Sequence, residues 1–335
     1  MKFSARWLAI GAVCALGAVA PAAAQTVKLD MANEYNQSTP LGAADVHFAG
    51  LVKAKTNGSI DVVNHLNNSL NINSRALMNA VGTGAVPLGN FPIQVAAGVD
   101  PIFLMSSLPF IAATAQQSHV LQDVMRPSLE RALAKEGQIL LYLTAWPSGG
   151  VWSKTPITSM AAFNNQKIRT NDAVATDIFK AAGASPVQMS WGDLMPQLQT
   201  GAVTMVHTSN ATGVSGRLWE SLQHYTDIGM VLAVNAAVMN KDAFDKLTPA
   251  QKTAITDAAK ETEAWWRSEL VSESKKNDGI ISSNGGKIRQ FEEVDPAVIT
   301  KFRELGKPIV DSWLQKAGKP GADLLAEYRR RAGIN

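Results

Sequence analysis

The chain has 335 residues, of which 46% are hydrophobic and 18% are charged. This is more sequence than one small domain needs, so a large core divided between two lobes is expected. The 31 basic and 28 acidic residues give a net charge of +3 without a basic run. That balance argues against binding to nucleic acid or to a membrane surface.

The first 24 residues have the pattern of an export signal. Lys2 and Arg6 give a basic start, residues 7–20 are almost wholly apolar, and residues 22–24 are the small residues of a cleavage site. Because the apolar stretch is short for a membrane span, we expect cleavage after residue 24 and export to the periplasm. An uncleaved anchor is the alternative. The single cysteine, Cys14, lies in this segment, so the mature chain is expected to have no thiol.

Strands alternate with helices in the part of the chain that follows. The predicted strands are residues 27–32, 60–63, 86–91 and 139–144. Two helices are predicted in this part. The first ends at Gly58 and has an apolar face formed by Ala44, Phe48, Leu51 and Val52, and the second covers residues 74–81. This alternation predicts βαβ units, and therefore an α/β fold with mostly parallel sheets flanked by helices.

Residues 145–150 form a breaker cluster that is typical of a crossing between lobes. Beyond it, the predicted elements are strands at residues 167–170 and 186–189 and helices at residues 173–182 and 193–199. Residues 230–239 are apolar enough for a strand that returns to the first lobe.

Thr248 and Pro249 begin a long helix, because they supply an N-cap hydroxyl and a proline at the first helical position. No breaker appears before residues 277–279, so this helix can span both lobes. The tail is predicted to be helical over residues 296–316 and 324–331. The expected architecture is a two-lobed periplasmic binding protein fold, with residues 25–146 and 235–274 in lobe I and residues 147–234 and 275–335 in lobe II.

The sequence does not contain a recognisable catalytic or metal site. The five histidines are His47, His65, His119, His207 and His224, and no two have the i, i+4 spacing of a helical zinc site. Gly82-Thr83-Gly84 lacks the third glycine of a dinucleotide loop, and neither Ser148 nor Ser215 lies in a Gly-x-Ser-x-Gly turn. We therefore expect a binding protein without metal or cofactor rather than an enzyme.

Arg169 ends a predicted strand, at the position where open α/β sheets hold small ligands. Its guanidinium group can donate two parallel hydrogen bonds to a carboxylate and stays charged at any working pH. An arginine that binds an organic anion and a structural arginine that pairs with the lobe's own acids are both compatible with this spacing.

Trp146 and Trp191 each follow a strand-like run, so they are candidates for the walls of a ligand pocket. Packing within a lobe is the alternative for both. Trp219, Trp265, Trp266 and Trp313 lie in helical or local contexts and are expected to be structural.

Several elements, in this order, resemble the substrate-binding proteins of tripartite ATP-independent periplasmic (TRAP) transporters, the DctP-like family. They are Lys55-Thr56-Asn57-Gly58, Ala80-Val81-Gly82-Thr83-Gly84-Ala85, Leu108-Pro109-Phe110, Lys167-Ile168-Arg169, Leu198-Gln199-Thr200-Gly201 and Leu247-Thr248-Pro249. The resemblance covers nearly all of the mature chain. It implies a long helix behind both lobes, a carboxylate held by Arg169, and delivery of the solute to a small and a large membrane subunit.

Departures from the family pattern bear on the ligand. Branches that bind sialic acid or dicarboxylates often have a second arginine near the lobe crossing, where this chain has Ser148-Gly149-Gly150. The missing cation favours a monocarboxylate with an apolar or aromatic body, whose keto or hydroxyl oxygen could bind His207, Thr208 and Ser209. The predicted ligand-binding residues are Arg169, Trp191, Trp146, Asn33, Asn90, Phe91, Asn171, Asp172, His207, Thr208 and Ser209.

The expected mechanism is capture of the solute by closure of the two lobes, because a ligand that bridges them stabilises the closed form. A monomer that feeds a TRAP transporter and binds no nucleic acid is the first hypothesis. A sensor that reports a bound acid to a receptor kinase and an exported enzyme acting on a small acid are the alternatives.

Overall fold

Two mixed β-sheets, each flanked by helices, form the two lobes in the computed structural model, which describes residues 26–334. The predicted two-lobed α/β fold is confirmed. The predicted signal peptide at residues 1–24 lies outside the described residues. Within them, no helix combines the length and the apolar character that crossing a bilayer requires.

Eleven strands are present among the described residues. They are β1 Val27–Asn33, β2 Ile60–His65, β3 Leu88–Pro92, β4 Gln138–Ala145, β5 Gly149–Ser153, β6 Lys167–Thr170, β7 Ser185–Gln188, β8 Met205–Ser209, β9 His224–Asp227, β10 Val234–Asn240 and β11 Lys287–Arg289.

Nine α-helices accompany these strands in residues 26–334. They are α1 Pro40–Lys55, α2 Ser74–Gly82, α3 Ala115–Lys135, α4 Ala173–Ala181, α5 Leu194–Gln199, α6 Asn210–Ser215, α7 Lys241–Asp245, α8 Pro249–Ser283 and α9 Pro296–Ala332.

The first sheet has the strand order β2-β1-β3-β10-β4. Strand β1 is parallel to β2 and β3, whereas β10 is antiparallel to both of its neighbours. Its two faces are covered by separate apolar clusters, one containing Phe48, Leu88 and Ile255, and the other containing Phe91 and Leu121. Parallel strands place their carboxyl ends at one edge of the sheet, which here faces the second lobe.

The second sheet has the order β11-β9-β5-β8-β6-β7. Strand β6 is parallel to both β7 and β8, and β5 is antiparallel to β8 and β9. One face packs on a cluster with Phe179 and Phe302, and the other packs on a cluster with Trp152 and Leu194. Strand β6 therefore lies inside the sheet, and Arg169 is held by pairing on both sides.

Two segments, residues 146–148 and 231–233, cross between the lobes and run beside each other. We call this pair of segments the crossing. The amide of Trp146 donates to the carbonyl of Ala233 at 2.8 Å, and the amide of Gly149 donates to the carbonyl of Val231 at 2.8 Å. The crossing predicted at residues 145–150 is thus one of two hydrogen-bonded segments. The strand predicted at residues 230–239 begins later in the structure, at Val234, because residues 231–233 belong to the second segment.

Helix α8 is longer than the sequence predicts. It continues through residues 277–279 to Ser283, because lobe II supplies contacts that offset the breaker residues. The side chain of Asn210 donates to the Ser274 carbonyl at 3.0 Å and to the Asp278 carboxylate at 2.8 Å. Helix α8 also packs on α1 and β4, so it spans both lobes.

Helix α9 contacts both lobes as well. Phe302 packs in the cluster of the second lobe, whereas Trp313 and Tyr328 pack in a cluster of the first. A kink at Gly318, where φ is +59°, lies between the two helices predicted for the tail. The predicted placement of residues 275–335 in lobe II therefore describes only the first part of α9, because its later part packs on lobe I. The other lobe boundaries stay a prediction.

Candidate functional site

A cavity of about 40 Å³ lies between the two lobes, at the crossing. Lobe I supplies Tyr35 and Gln94, the crossing supplies Trp146, and lobe II supplies Arg169 and His207. The predicted site residues that line the cavity are Arg169, Trp146, Asn171, His207, Thr208 and Ser209. Residues from distant parts of the chain meet here because the strand ends of both sheets point toward the crossing.

Arg169 is almost fully buried, with 3% of its surface exposed. Its Nε donates to the Met189 carbonyl at 3.2 Å and its Nη1 donates to the His207 carbonyl at 3.4 Å. Burial lowers the pKa of the guanidinium, and the nearby Tyr35, Glu34 and Asp172 act in the opposite direction. Within residues 26–334 this side chain forms no ion pair, so a carboxylate ligand would meet a cation that no protein acid neutralises directly.

Aromatic rings surround this cation. The Arg169 guanidinium carbon lies 5.9 Å from the centroid of the Trp191 ring, within the range of a cation–π interaction. Trp191 does not line the cavity; it stands behind Arg169 and stacks on Tyr35. The Trp146 ring lies edge-on to Tyr35 at a centroid distance of 5.2 Å, and its Nε1 donates to the Asn235 side chain at 2.6 Å. The indole of Trp146 is therefore fixed in orientation.

Tyr35 belongs to the loop between β1 and α1, and it is not among the ligand-binding residues predicted from the sequence. We call residues 34–39, between β1 and α1, the arm. The arm carries Tyr35 from lobe I against Trp146 and Trp191. A tyrosine in a loop has no local pattern that indicates a pocket wall, and Gln94, in a short helix after β3, was missed for the same reason.

His207 is buried, and both of its ring nitrogens lack a hydrogen-bond partner among the described residues. Burial and the Arg169 charge lower the pKa of His207 to about 3. The ring is therefore neutral at physiological pH and offers one donor and one acceptor. Because buried polar atoms are nearly always hydrogen-bonded, these nitrogens are candidates for contact with a bound solute.

Two other polar atoms in the cavity lining share this property. Asn171 Oδ1 and Gln94 Oε1 are buried and have no hydrogen-bond partner among the described residues. The two oxygens can accept hydrogen bonds from polar groups on a ligand, and the neutral ring of His207 can donate one hydrogen bond and accept another. They come from both lobes, so a ligand that satisfies all three would bridge the cleft.

Besides Trp191, four predicted site residues lie outside the cavity lining and have other contacts. The side chains of Asn33 and Asn90 each donate to the Asp45 carboxylate at 2.7 Å. Phe91 is buried in the core of lobe I, and Asp172 caps helix α4 by accepting from the Ala175 amide at 2.8 Å. These four side chains pack within the protein beside the cleft, and their contact with the ligand stays a prediction.

Asp45 is fully buried and is the centre of this supporting network. The Tyr142 hydroxyl also donates to its carboxylate, at 2.6 Å. Burial raises the pKa of Asp45 to about 7, although the hydrogen bonds from Tyr142, Asn90 and Asn33 act to lower it. The same Asn33 accepts from the Tyr35 amide at 2.8 Å, which connects Asp45 to the start of the arm.

No group of three or more histidine, cysteine, aspartate or glutamate side chains suited to a metal ion lies within residues 26–334. The cavity lining has one buried cation, aromatic walls and unpaired amide and imidazole atoms. Two lobes joined by a crossing, with such a cavity between them, define a two-lobed solute-binding protein.

Comparison with known families agrees with this class. The sequence profile of the DctP family, described as bacterial extracellular solute-binding protein, family 7, matches residues 31–316. The chain belongs to this family, and the predicted relation to TRAP solute-binding proteins is confirmed.

Solved structures and relatives extend over nearly the whole chain. DctP7 and DctP6 of Bordetella pertussis, extracytoplasmic solute receptors that bind pyroglutamic acid, are 26% and 27% identical. Each has a TM-score of 0.86 and covers 91% of this chain and 100% of its own. The 2,3-diketo-L-gulonate-binding periplasmic protein YiaO of Escherichia coli is 24% identical over 93% of this chain and 94% of its own.

Proposed function

We propose that the protein is a periplasmic receptor that captures a small organic acid with one carboxylate and delivers it to a TRAP transporter. The observation that carries this proposal is the buried guanidinium of Arg169, which borders the interlobe cavity and has no ion-pair partner within residues 26–334. Burying a cation without a counterion is unfavourable, so an anionic ligand would remove that cost.

The lining supports one carboxylate rather than two. Among the cavity-lining residues, Arg169 is the one that carries a permanent positive charge, and His207 is neutral. A second carboxylate would therefore be buried without a cation. Two hydrogen bonds from a charged donor contribute about 1.5–3 kcal/mol each, which is a substantial part of the roughly 8 kcal/mol needed for micromolar affinity.

The walls support a compact body for this acid. Tyr35 and Trp146 already place aromatic rings against the cavity, so the walls themselves supply the aromatic faces that the flat body of a small acid would contact. Asn171, Gln94 and His207 could bind a carbonyl, hydroxyl or ring N–H. Pyroglutamate has one carboxylate and a five-membered ring with a carbonyl and an N–H, and it is the solute of two receptors similar to this chain.

Capture follows from the position of the site between the lobes. A solute held by Arg169 on lobe II and by Gln94 and Tyr35 on lobe I would stabilise the closed form in proportion to its preference for that form. The closed receptor would then dock on the small and large membrane subunits as a monomer. No step in this sequence breaks or forms a covalent bond in the solute.

A thermal-shift screen of the purified mature protein tests the solute class. The panel contains pyroglutamate, pyruvate, galacturonate and succinate, and its matched control is pyroglutamide, which keeps the ring but lacks the charge. We expect stabilisation by a monocarboxylate, worth about 2.7 kcal/mol at a solute concentration of 100 Kd, and none by pyroglutamide. Stabilisation by succinate alone, or equal stabilisation by acid and amide, would refute the assignment.

A further inference from the structure

The arm contributes more than a pocket wall. Besides Tyr35, it carries Asn36, whose side-chain amide reaches the Ser215 carbonyl of lobe II at 3.4 Å. It also carries Glu34, which is 2% exposed although it is a charged side chain. A carboxylate is seldom so deeply buried unless it is paired, and within residues 26–334 Glu34 has no ion-pair partner.

The two oxygens of Glu34 accept from backbone amides of different lobes. Oε1 accepts from the Gly192 amide of lobe II at 2.7 Å, and Oε2 accepts from the Ser74 amide of lobe I at 2.9 Å. Both contacts are direct and short, and hydrogen bonds to a charged acceptor are stronger than those between neutral groups. One side chain thus connects the lobes without touching the cavity.

The lobe I contact explains why an acidic side chain suits this position. Ser74 is the first residue of α2, and the side chain of Asn73 already accepts from the amides of Arg75 and Ala76. Glu34 takes the remaining amide of this helix end, where the helix dipole favours negative charge. Lobe I therefore holds the carboxylate in place before lobe II approaches.

The lobe II contact lies next to the ligand machinery. Gly192 directly follows Trp191, the ring that Arg169 lies over. A Cβ atom at residue 192 would lie 3.3 Å from Glu34 Oε1, so a glycine permits this close approach. Holding the Gly192 amide also holds Trp191 against Tyr35.

We propose that Glu34 is a positioning residue for solute capture, which fastens lobe II to lobe I through the Gly192 amide and so keeps Trp191 and Arg169 in place around the bound acid. This inference rests on the proposed function. Since an open cleft would separate Glu34 from Gly192 but not from Ser74, the contact acts on release of the solute rather than on its arrival.

The test compares three variants of the mature protein by stopped-flow tryptophan fluorescence with pyroglutamate as the probe. Glu34→Ala removes both contacts. Ser74→Pro removes only the amide of lobe I. Proline is accepted here because Ser74 is the first helical residue and because Asn73 before it has the extended backbone that a residue before proline prefers. Glu304→Gln alters an exposed carboxylate on α9 that pairs with Lys301 and serves as the surface control.

We expect Glu34→Ala to raise the dissociation rate by about tenfold or more, and Ser74→Pro to raise it by less because the Gly192 contact remains. The association rates of all variants and both rates of Glu304→Gln should stay within about twofold of wild type. A Ser74→Pro variant that releases pyroglutamate as fast as Glu34→Ala would overturn the inference, because the effect would then come from α2. An unchanged dissociation rate in Glu34→Ala would overturn it as well, and would leave the proposed function intact.

Amide hydrogen exchange over residues 190–194 in the pyroglutamate complex gives a second reading that does not depend on the dissociation rate. The Gly192 amide should exchange faster in pyroglutamate-saturated Glu34→Ala than in pyroglutamate-saturated wild type, and equal exchange rates would contradict the contact. A wild-type protein that binds no acid of the panel would count against the proposed function. A wild-type protein that binds pyroglutamate but exchanges the Gly192 amide as fast as Glu34→Ala would count against the contact alone, so the two failures are distinguishable.

Discussion

Tyr35 of lobe I and Trp191 of lobe II stack across the boundary between the lobes, with ring centroids 6.5 Å apart and planes 17° from parallel. Trp146 from the crossing adds a third ring, edge-on to Tyr35. Because Tyr35 lies on lobe I and Trp191 on lobe II, we expect their stacking to form only when the lobes are closed. This triad, with Arg169 over Trp191, connects closure to the charge that is expected to bind the solute.

Replacing Tyr35 by alanine should weaken solute binding. The change removes two aromatic contacts, each worth about 0.5–1.5 kcal/mol, so the affinity should fall by about 5-fold to 150-fold. Tyr35→Phe keeps the ring and is the matched control, with an expected change of about threefold or less. Isothermal titration of the best acid of the screen measures both, and equal affinities for Tyr35→Ala and wild type would contradict a wall role for this ring.

His207 should make the fold sensitive to acid. Its pKa falls from an ordinary 6.5 to about 3 in the folded state, so between these values the unfolded chain binds more protons. The contribution of His207 to the free energy of unfolding is then fully present above pH 6.5, and on the order of 4 kcal/mol of it is lost as the pH falls toward 3. Urea unfolding at several pH values should show a shallower loss for His207→Gln than for wild type; parallel curves would contradict a buried neutral imidazole.

Asp45 should have the opposite effect over much of the same range. Its pKa rises from 3.8 to about 7 in the folded state, so the folded protein binds the extra proton. The contribution of this group is favourable below pH 3.8 and is lost as pH rises toward 7, again by on the order of 4 kcal/mol. In the same unfolding series, Asp45→Asn should gain stability relative to wild type as pH rises. A constant difference between the two proteins would exclude the raised pKa.

Local patterns in the sequence predicted the elements that carry the main site residues. Strand β6 coincides with the predicted residues 167–170, and Arg169 lies at its end beside the cavity. Trp146 follows β4, as the strand predicted at residues 139–144 and the breaker cluster at residues 145–150 indicated. These signals are local, since a strand run and its end depend on consecutive residues.

Contacts between distant segments could not be predicted in this way. Asn33 ends β1 and Asn90 lies within β3, but both side-chain amides donate to Asp45 on α1 rather than facing the cavity. Tyr35 reaches the cavity from the loop between β1 and α1, and Gln94 from a four-residue helix after β3, and neither segment has a periodic pattern. Helix α3 was missed because a proline at residue 127 interrupts its pattern, and α8 passes its predicted end because Asn210 of lobe II supports it.

The most direct test of the carboxylate clamp is isothermal titration of wild type, Arg169→Lys and Arg169→Ala with the acid that stabilises the wild-type protein most. The lysine variant keeps a charge but not the paired donors, and circular dichroism melting of each variant confirms that it is folded. The account predicts that folded Arg169→Ala binds at least about 100-fold more weakly than wild type, with Arg169→Lys between them. Wild-type affinity in a folded Arg169→Ala protein would contradict the account.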